Sequence, residues 1–190
     1  MVNIIITPSD DILRRYGNAL GALGDRQAHA ALARAVNRTT DTIHGRVIRA
    51  IAKQSSIPTA IVRKSLRKQL VRPGSGAALE GRIDARGNPL PLREFRPKQF
   101  TWGVRAKVWG RIQRFPGTFI FAGTYRSGNP VGNMHVFHRL SAKSLPIEIL
   151  FGPSVPEEMV KDHSARVFEE TAASMLPARV AHEIERLLPS

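Results

Sequence analysis

Three short apolar runs, separated by turn-forming residues, constrain the fold more than any other feature of this 190-residue chain. The runs are Thr118–Ala122, Met134–Leu140 and Ile147–Phe151, and the gaps between them are rich in glycine, asparagine, proline and serine. Runs of about 5–7 residues between such gaps are typical of antiparallel strands joined by hairpins. A sheet of three strands needs helices to cover its buried face. We therefore predict a small antiparallel sheet within residues 115–156, around which the rest of the chain is arranged.

The clearest predicted helix runs from about Asp25 to Lys53. Its apolar residues recur at helical spacing and fall within about one third of the circumference; they are Leu32, Val36, Ile43, Val47 and Ile51. Five cations are predicted on the other side, namely Arg34, Arg38, Arg46, Arg49 and Lys53. This basic side fits a solvated surface as well as a surface that binds DNA or an acidic partner.

Shorter elements flank this helix. Val2–Ile6 has the composition of a strand, and a first helix is predicted from Ser9 or Asp10 to about Leu23. Beyond the break at Pro58, a third helix is predicted over Thr59–Leu70. Four cations of that helix are predicted to belong to the same basic surface, namely Arg63, Lys64, Arg67 and Lys68. Two helices joined by a short turn also fit a helix-turn-helix, although ordinary helix pairs are far commoner.

The middle of the chain contains the least regular segment and one clear strand. Arg72–Phe100 is rich in proline and glycine, which favours a long loop or β-arm with one strand near Leu79–Ala85. Thr101–Gly110 alternates, and this pattern predicts a half-buried strand. Trp102, Val104, Ala106 and Val108 are expected on one face, and Arg105, Lys107 and Trp109 on the other. An exposed Trp beside cations fits base stacking, or packing under a loop or against a subunit.

A helical region is predicted to close the chain from Val155 onward, with Pro177 kinking or restarting it. Its expected apolar residues are Val160, Phe168, Ala172, Met175, Val180, Ile184, Leu187 and Leu188. Together these elements predict an α+β protein with N-terminal helices, a small antiparallel sheet, a loop or β-arm, and C-terminal helices. We interpret the chain as a single domain. Its parts are a helical part (1–72), a loop or β-arm (73–100), the sheet (101–155) and the C-terminal helical region (156–190).

The charge is strongly positive and unevenly distributed. The formal net charge is +14, yet residues 156–190 carry seven acids against four bases, whereas residues 1–155 carry eight acids against twenty-five bases. Such a field favours polyanions or an acidic protein partner, although a solubilising surface gives a simpler interpretation.

Several classes of protein are disfavoured by composition. The chain has no cysteine, which excludes disulfides, thiolate catalysis and cysteine-bound zinc. It has no apolar run of about 18 residues and no basic-then-apolar leader pattern, so we expect neither a membrane span nor secretion. We expect the protein to be made in the cytoplasm and to be used or assembled there.

The common catalytic motifs are missing from the sequence. It contains no Walker loop, no G-x-G-x-x-G and no G-x-S-x-G. His135 and His138 fall on opposite faces of a strand, which disfavours a metal site. Four carboxylates before residue 156 form no recognisable cluster; they are Glu80, Asp84, Glu94 and Glu148. We expect no cofactor, no metal and no enzymatic activity.

Three ordered pieces of the sequence resemble a known family. The first is the segment AVNRT at 35–39, the second is VRKSL at 62–66, and the third begins with PGTFI at 116–120. The third piece continues with HVFHR at 135–139, LPIE at 145–148 and FGPSVP at 151–156. In this order and spacing, from about residue 28 to 159, they are similar to the prophage minor tail protein Z family, the tail-completion proteins of lambda-like phages.

The resemblance implies a structural protein of the virion, in the phage tail or neck. It implies action at the head-proximal end of the tail, where the tail is completed and joined to a DNA-filled head. A homo-oligomeric ring, six-fold like the tail tube, would be expected, with the tail terminator and the head–tail connector as neighbours and double-stranded DNA in its lumen. The residues alone leave another class open, a sequence-nonspecific nucleic-acid-binding protein that uses the same basic helices.

Overall fold

The computed structural model describes residues 1–8, 25–124 and 130–187, together with the single positions 11, 14, 16, 17, 21, 127 and 128. The predicted helix from residue 9 or 10 to 23 therefore lies largely outside the described residues. The helices are α1 (Asp25–Ser55), α2 (Thr59–Ser65), α3 (Val155–Met159) and α4 (Asp162–Glu185), with a 3-10 turn at Leu92–Phe95. The strands are β1 (Val2–Ile6), β2 (Leu66–Gln69), β3 (Gly81–Ala85), β4 (Lys98–Phe100), β5 (Gly103–Val108), β6 (Arg111–Pro116), β7 (Thr118–Thr124), β8 (Pro130–Arg139) and β9 (Ile147–Ile149). The α+β class is confirmed.

The core is built around α1 rather than around the predicted sheet. All five apolar residues predicted on this helix are buried, and alanines at 31, 33, 35 and 50 are buried with them. Small side chains let neighbouring elements approach closely, and α1 packs against α2, α3, α4 and both β2 and β3. By contrast, the strands within residues 115–156 are mostly half-exposed, with Val136 and Phe137 their main buried apolar residues. The prediction that this sheet organises the chain is therefore wrong: three short strands bury too little apolar surface.

Sheet 1 has the order β1-β3-β2, with both pairs antiparallel. Its centre, β3, matches the strand predicted near Leu79–Ala85 within the loop or β-arm segment. The helix predicted over Thr59–Leu70 ends at Ser65, and the next four residues form β2. Leu66 is extended, with φ −99° and ψ 129°, and pairs with Ala85. Here tertiary pairing with β3 overrides helix propensity, which shortens the second helix of the candidate helix-turn-helix to seven residues.

Sheets 2 and 3 carry the remaining strands. Sheet 2 has the order β4-β5-β6, and the alternation predicted on β5 is confirmed for Val104, Ala106 and Val108, which are buried. Trp102, predicted on the same face, instead lies in the turn before β5 and is exposed. Sheet 3 has the order β7-β8-β9, so the three predicted apolar runs do pair as antiparallel strands. The two sheets meet where the side chain of Gln99 accepts a hydrogen bond from the backbone N–H of Ile120 at 2.7 Å.

The C-terminal region contains two helices, and the break lies at residues 160–161 rather than at Pro177. Ser154 caps α3 by accepting a hydrogen bond from the backbone N–H of Glu157. Pro177 lies inside α4, which continues through it as one helix, so a restart there is not observed. Val160, predicted to be apolar core, is exposed in the break, whereas Leu176, Val180 and Ile184 are buried against α1.

Candidate interaction surfaces

The contact between α1 and α4 is centred on a buried carboxylate. Glu183 is 1% exposed. It accepts hydrogen bonds from Nε of Arg34 at 2.7 Å and from Nη2 of Arg186 at 3.0 Å, and Nε of Arg38 lies 3.8 Å from its other oxygen. Burial alone would raise the pKa of Glu183, but the hydrogen bond and charge of Arg34, helped by Arg186 and Arg38, hold the pKa below its usual range. We call these four residues the Glu183 cluster.

The five cations predicted on α1 fall into two groups, three that form polar contacts with residues of α4 and two with no such contact in the described part of the chain. Arg34 and Arg38 belong to the Glu183 cluster, and Arg46 donates a hydrogen bond to the hydroxyl of Thr171 on α4 at 3.1 Å. Arg49 and Lys53 are exposed and have no ion pair among the described residues. That all five face DNA or an acidic neighbour stays a prediction, but three of them also hold α4.

The second predicted group lies on α2 and β2. Arg63, Lys64 and Arg67 are exposed, and none of them pairs with a carboxylate in the part of the chain that the structure describes. Lys68 differs, because its Nζ forms an ion pair with the carboxylate of Asp41 on α1. Three of these four cations are therefore available to an external anion.

Sheet 2 contains a stack of rings and guanidinium groups. The rings of Phe100 and Trp102 lie nearly parallel, with centroids 5.3 Å apart. The guanidinium of Arg105 lies over Phe100 at 4.8 Å, and that of Arg114 lies over Trp102 at 5.3 Å. Such contacts fix the orientation of an arginine without neutralising its charge.

The two tryptophans have different surroundings. Trp102 is exposed at the β4–β5 turn and belongs to the stack. Trp109 follows β5, and its indole N–H donates to Oε1 of Glu158 on α3 at 3.2 Å. The other oxygen of Glu158 accepts a hydrogen bond from the amide of Gln54 on α1 at 2.7 Å. Trp109 therefore ties sheet 2 to the helices, which supports packing rather than base stacking at this position.

Sequence reasoning missed Lys98, Phe100 and Arg114, which lie beside the predicted Arg105 and Lys107. A signal was present: residues 95–147 contain nine lysines and arginines and no aspartate or glutamate. Glu183 was also missed, because it lies between Val180 and Ile184 on what reads as an apolar stripe. Its position opposite Arg34 and Arg38 depends on how α4 packs against α1, which the sequence alone does not specify.

The remaining titratable side chains are dispersed. No group of three or more histidines and carboxylates suited to a metal occurs among the described residues. Nδ1 of His138 lies 3.9 Å from Glu148, whereas His135 contacts Arg93 at 3.0 Å. Burial, together with the charge of Arg93, lowers the pKa of His135, which favours its neutral form.

Comparison with known protein families identifies the family of this chain. The sequence model of one family, prophage minor tail protein Z, matches residues 18–189. The chain belongs to this family. The match covers sheets 1–3 and helices α1–α4 except β1, so it extends well beyond the short resembling segments. No curated protein and no solved structure matches the chain.

Membership defines the broad role of this minor tail protein. The family consists of structural phage proteins and is not a known enzyme family, which implies a component of the virion tail. Within the described ranges, no helix has the length and apolar character needed to cross a bilayer.

Proposed function

We propose that this protein completes the phage tail at its head-proximal end and helps to join it to the DNA-filled head. The observation that carries the proposal is the family match over residues 18–189. The charge distribution supports it, because a component beside the path of DNA benefits from a positive surface that neutralises phosphates without reading bases.

We further propose that the protein acts as a homo-oligomeric ring, a hexamer that follows the symmetry of the tail tube. Ring contacts between identical subunits are heterologous and need two different complementary surfaces on each subunit. The chain offers a candidate pair, because residues 1–155 form a basic body whereas the acidic C-terminal region exposes Asp162, Glu169 and Glu170 on α4. Its neighbours in the neck would be the tail terminator and the head–tail connector proteins, and double-stranded DNA would pass through the ring.

A second candidate function is sequence-nonspecific binding of nucleic acid by a free protein. The acid-free stretch from residue 95 to 147 favours it, because an unneutralised cationic surface attracts any polyanion. A free monomer with tight binding that falls steeply with salt would support this role. Weak binding together with assembly onto tails would support the structural role.

Electron microscopy of lysates from a phage that lacks this gene tests the proposal. Filled heads and full-length tails that accumulate separately, or joined particles that do not infect, would support action at the head–tail junction. Missing tails or tails of the wrong length would instead indicate the tip or length control. Normal infectious particles would contradict the proposal and favour the nucleic-acid-binding protein.

A further inference from the structure

Four cations converge on one shallow depression in the surface of sheet 2. The depression has a volume of about 240 Å³ and is lined by Arg96, Lys98, Arg105, Ala106, Lys107 and Ile112. We call it the cationic depression. Strand register brings Lys98 on β4 directly opposite Arg105 on β5 within the depression, and Arg105 is in turn directly opposite Arg114 on β6, which does not line it. Adjacent strands lie about 4.8 Å apart, so three like charges are held side by side.

This arrangement is unfavourable for the isolated protein. Like charges directly opposite each other on neighbouring strands destabilise a sheet. No carboxylate pairs with Arg96, Lys98 or Lys107 among the residues that the structure describes, and the nearest acids along the chain are Glu94 and Glu148. Glu94 forms its ion pair with Arg93 instead. An external anion would remove this repulsion, which is the expected behaviour of a binding surface.

Aromatic rings hold the guanidinium groups in place before any anion binds. Arg105 lies over Phe100 and Arg114 over Trp102, and the two rings contact each other. The same arrangement recurs in sheet 3, where Arg139 lies over Phe119 at 4.9 Å. A guanidinium that is already ordered loses less side-chain entropy when it binds, and its flat group of N–H donors suits phosphate oxygens.

We propose that the cationic depression binds the phosphate backbone of duplex DNA. This inference rests on the proposed function and assigns the DNA-facing side of the subunit to sheet 2, whereas Arg34 and Arg38 hold α4. The rings of the stack contact each other and the guanidiniums, so they offer little free face to bases. Contact is therefore made with phosphates, without base sequence and without preference for single strands.

A second copy of the chain is a weaker match than DNA. On α4 the exposed Arg166 lies between the exposed acids Asp162 and Glu169, and Glu157 on α3 already pairs with Lys161. The net charge of residues 156–190 is only −3, since seven acids face four bases. Duplex DNA presents one negative charge for about every 1.7 Å of its axis. Charge complementarity to an acid-free depression thus favours DNA.

The test measures binding of the full-length protein to a fluorescent duplex of about 30 base pairs at several salt concentrations. In the first variant Lys98→Gln, Arg105→Gln and Lys107→Gln remove three charges from the cationic depression. We expect a loss of at least about tenfold in affinity, and a salt slope that is shallower by about 2–3, because each lost phosphate contact contributes about 0.9.

A matched control removes three charges elsewhere. Arg63→Gln, Lys64→Gln and Arg67→Gln act on exposed cations of α2 and β2, and we expect a change of less than about threefold. Equal losses in both variants would show that only total charge matters and would overturn the proposal. If the first variant unfolds, as judged by circular dichroism, the double variant Lys98→Gln and Lys107→Gln replaces it, because both side chains are exposed. Arg105→Lys keeps the charge but loses the planar guanidinium held over Phe100, so its affinity should lie between those of the unmodified protein and Arg105→Gln.

Three further outcomes would overturn the proposal. These are no duplex binding by the unmodified protein, tighter binding to a single strand than to the duplex, and self-association of the full-length protein that the first variant loses. The tail role is tested separately by microscopy of the gene-deficient phage. If that phage shows unjoined heads and tails but the purified protein does not bind the duplex, only the present inference fails. If its particles are normal and infectious, the proposed function fails whatever the binding result.

Discussion

The α1–α4 interface and sheet 2 use the same residue type in opposite ways. At the interface, Arg34, Arg38 and Arg186 surround a carboxylate that is 1% exposed, so their charges are compensated inside the fold. In sheet 2 the cations are held by rings or left in solvent, and no acid occurs from residue 95 to 147. The comparison shows that the net charge of +14 is divided between separate regions of the protein with different roles. Part of it stabilises the helices, and another part remains for a partner.

Replacing Glu183 with Gln gives the sharpest test of the first half of the comparison. The variant keeps the shape of the side chain but leaves Arg34, which is 30% exposed, beside a neutral amide, and losing a charge-assisted hydrogen bond of this kind costs about 1.5–3 kcal/mol. We expect the free energy of unfolding in urea to fall by that amount. Glu185→Gln is the matched control, since Glu185 is exposed on the same helix, and it should change stability by less than about 0.5 kcal/mol. Similar effects of both changes would show that the Glu183 cluster does not hold α4.

The pH dependence of stability tests the same cluster. The pKa of Glu183 is lower in the folded state than in the unfolded chain. The unfolded state therefore binds more protons in acid, and the stabilisation is present above the unfolded pKa and is lost as the pH falls through the folded pKa. Urea unfolding between about pH 7 and pH 3 should show a steeper loss for the unmodified protein than for Glu183→Gln. Parallel curves would contradict the lowered pKa.

A substitution of Gly117 tests whether the junction between sheets 2 and 3 requires a residue that adopts a positive φ. The residue lies between β6 and β7 with φ +68°, and nothing lies within 4 Å of where a side-chain methyl would be. Gly117→Ala should therefore destabilise through backbone strain alone, by about 1–2 kcal/mol, with duplex binding unchanged in the folded protein. Calorimetric melting measures the first effect and anisotropy the second. Lost binding in a stable variant would mean that the glycine has a direct role.

The two tryptophans extend the comparison to neutral contacts. Trp109→Phe removes the donor to Glu158, whose carboxylate is buried, and should cost about 1 kcal/mol in urea unfolding. Trp102→Phe keeps a ring on Phe100 and exposes no unpaired polar group, so its effect should be under about 0.5 kcal/mol. The reverse order would mean that the exposed stack, rather than the link to α3, fixes sheet 2.

Local patterns predicted the elements that bury one regular face. The spacing of Leu32, Val36 and Ile43 predicted α1, and the alternation of Val104 and Ala106 predicted β5, because both periods reflect a single buried side. The same reasoning failed at Leu66–Gln69, where a short apolar–basic sequence fits a helix as well as a strand. Pairing with β3 is what makes this segment a strand. It also missed the Glu183 cluster and the row of Lys98, Arg105 and Arg114, since both depend on contacts between elements distant along the chain.

The smallest expected effect concerns Lys98, and its sign matters more than its size. Lys98 lies directly opposite Arg105 and has no carboxylate partner among the described residues. If the row exists for a ligand, Lys98→Gln should raise the free energy of unfolding by a few tenths of a kcal/mol, because it removes a repulsion between like charges. Adding salt should shrink this gain, since ions screen exposed charges, and duplex DNA should reverse it by binding the unmodified protein more tightly. A loss of stability in low salt would mean that Lys98 has a stabilising role in the fold, and the contrast between sheet 2 and the Glu183 cluster would disappear.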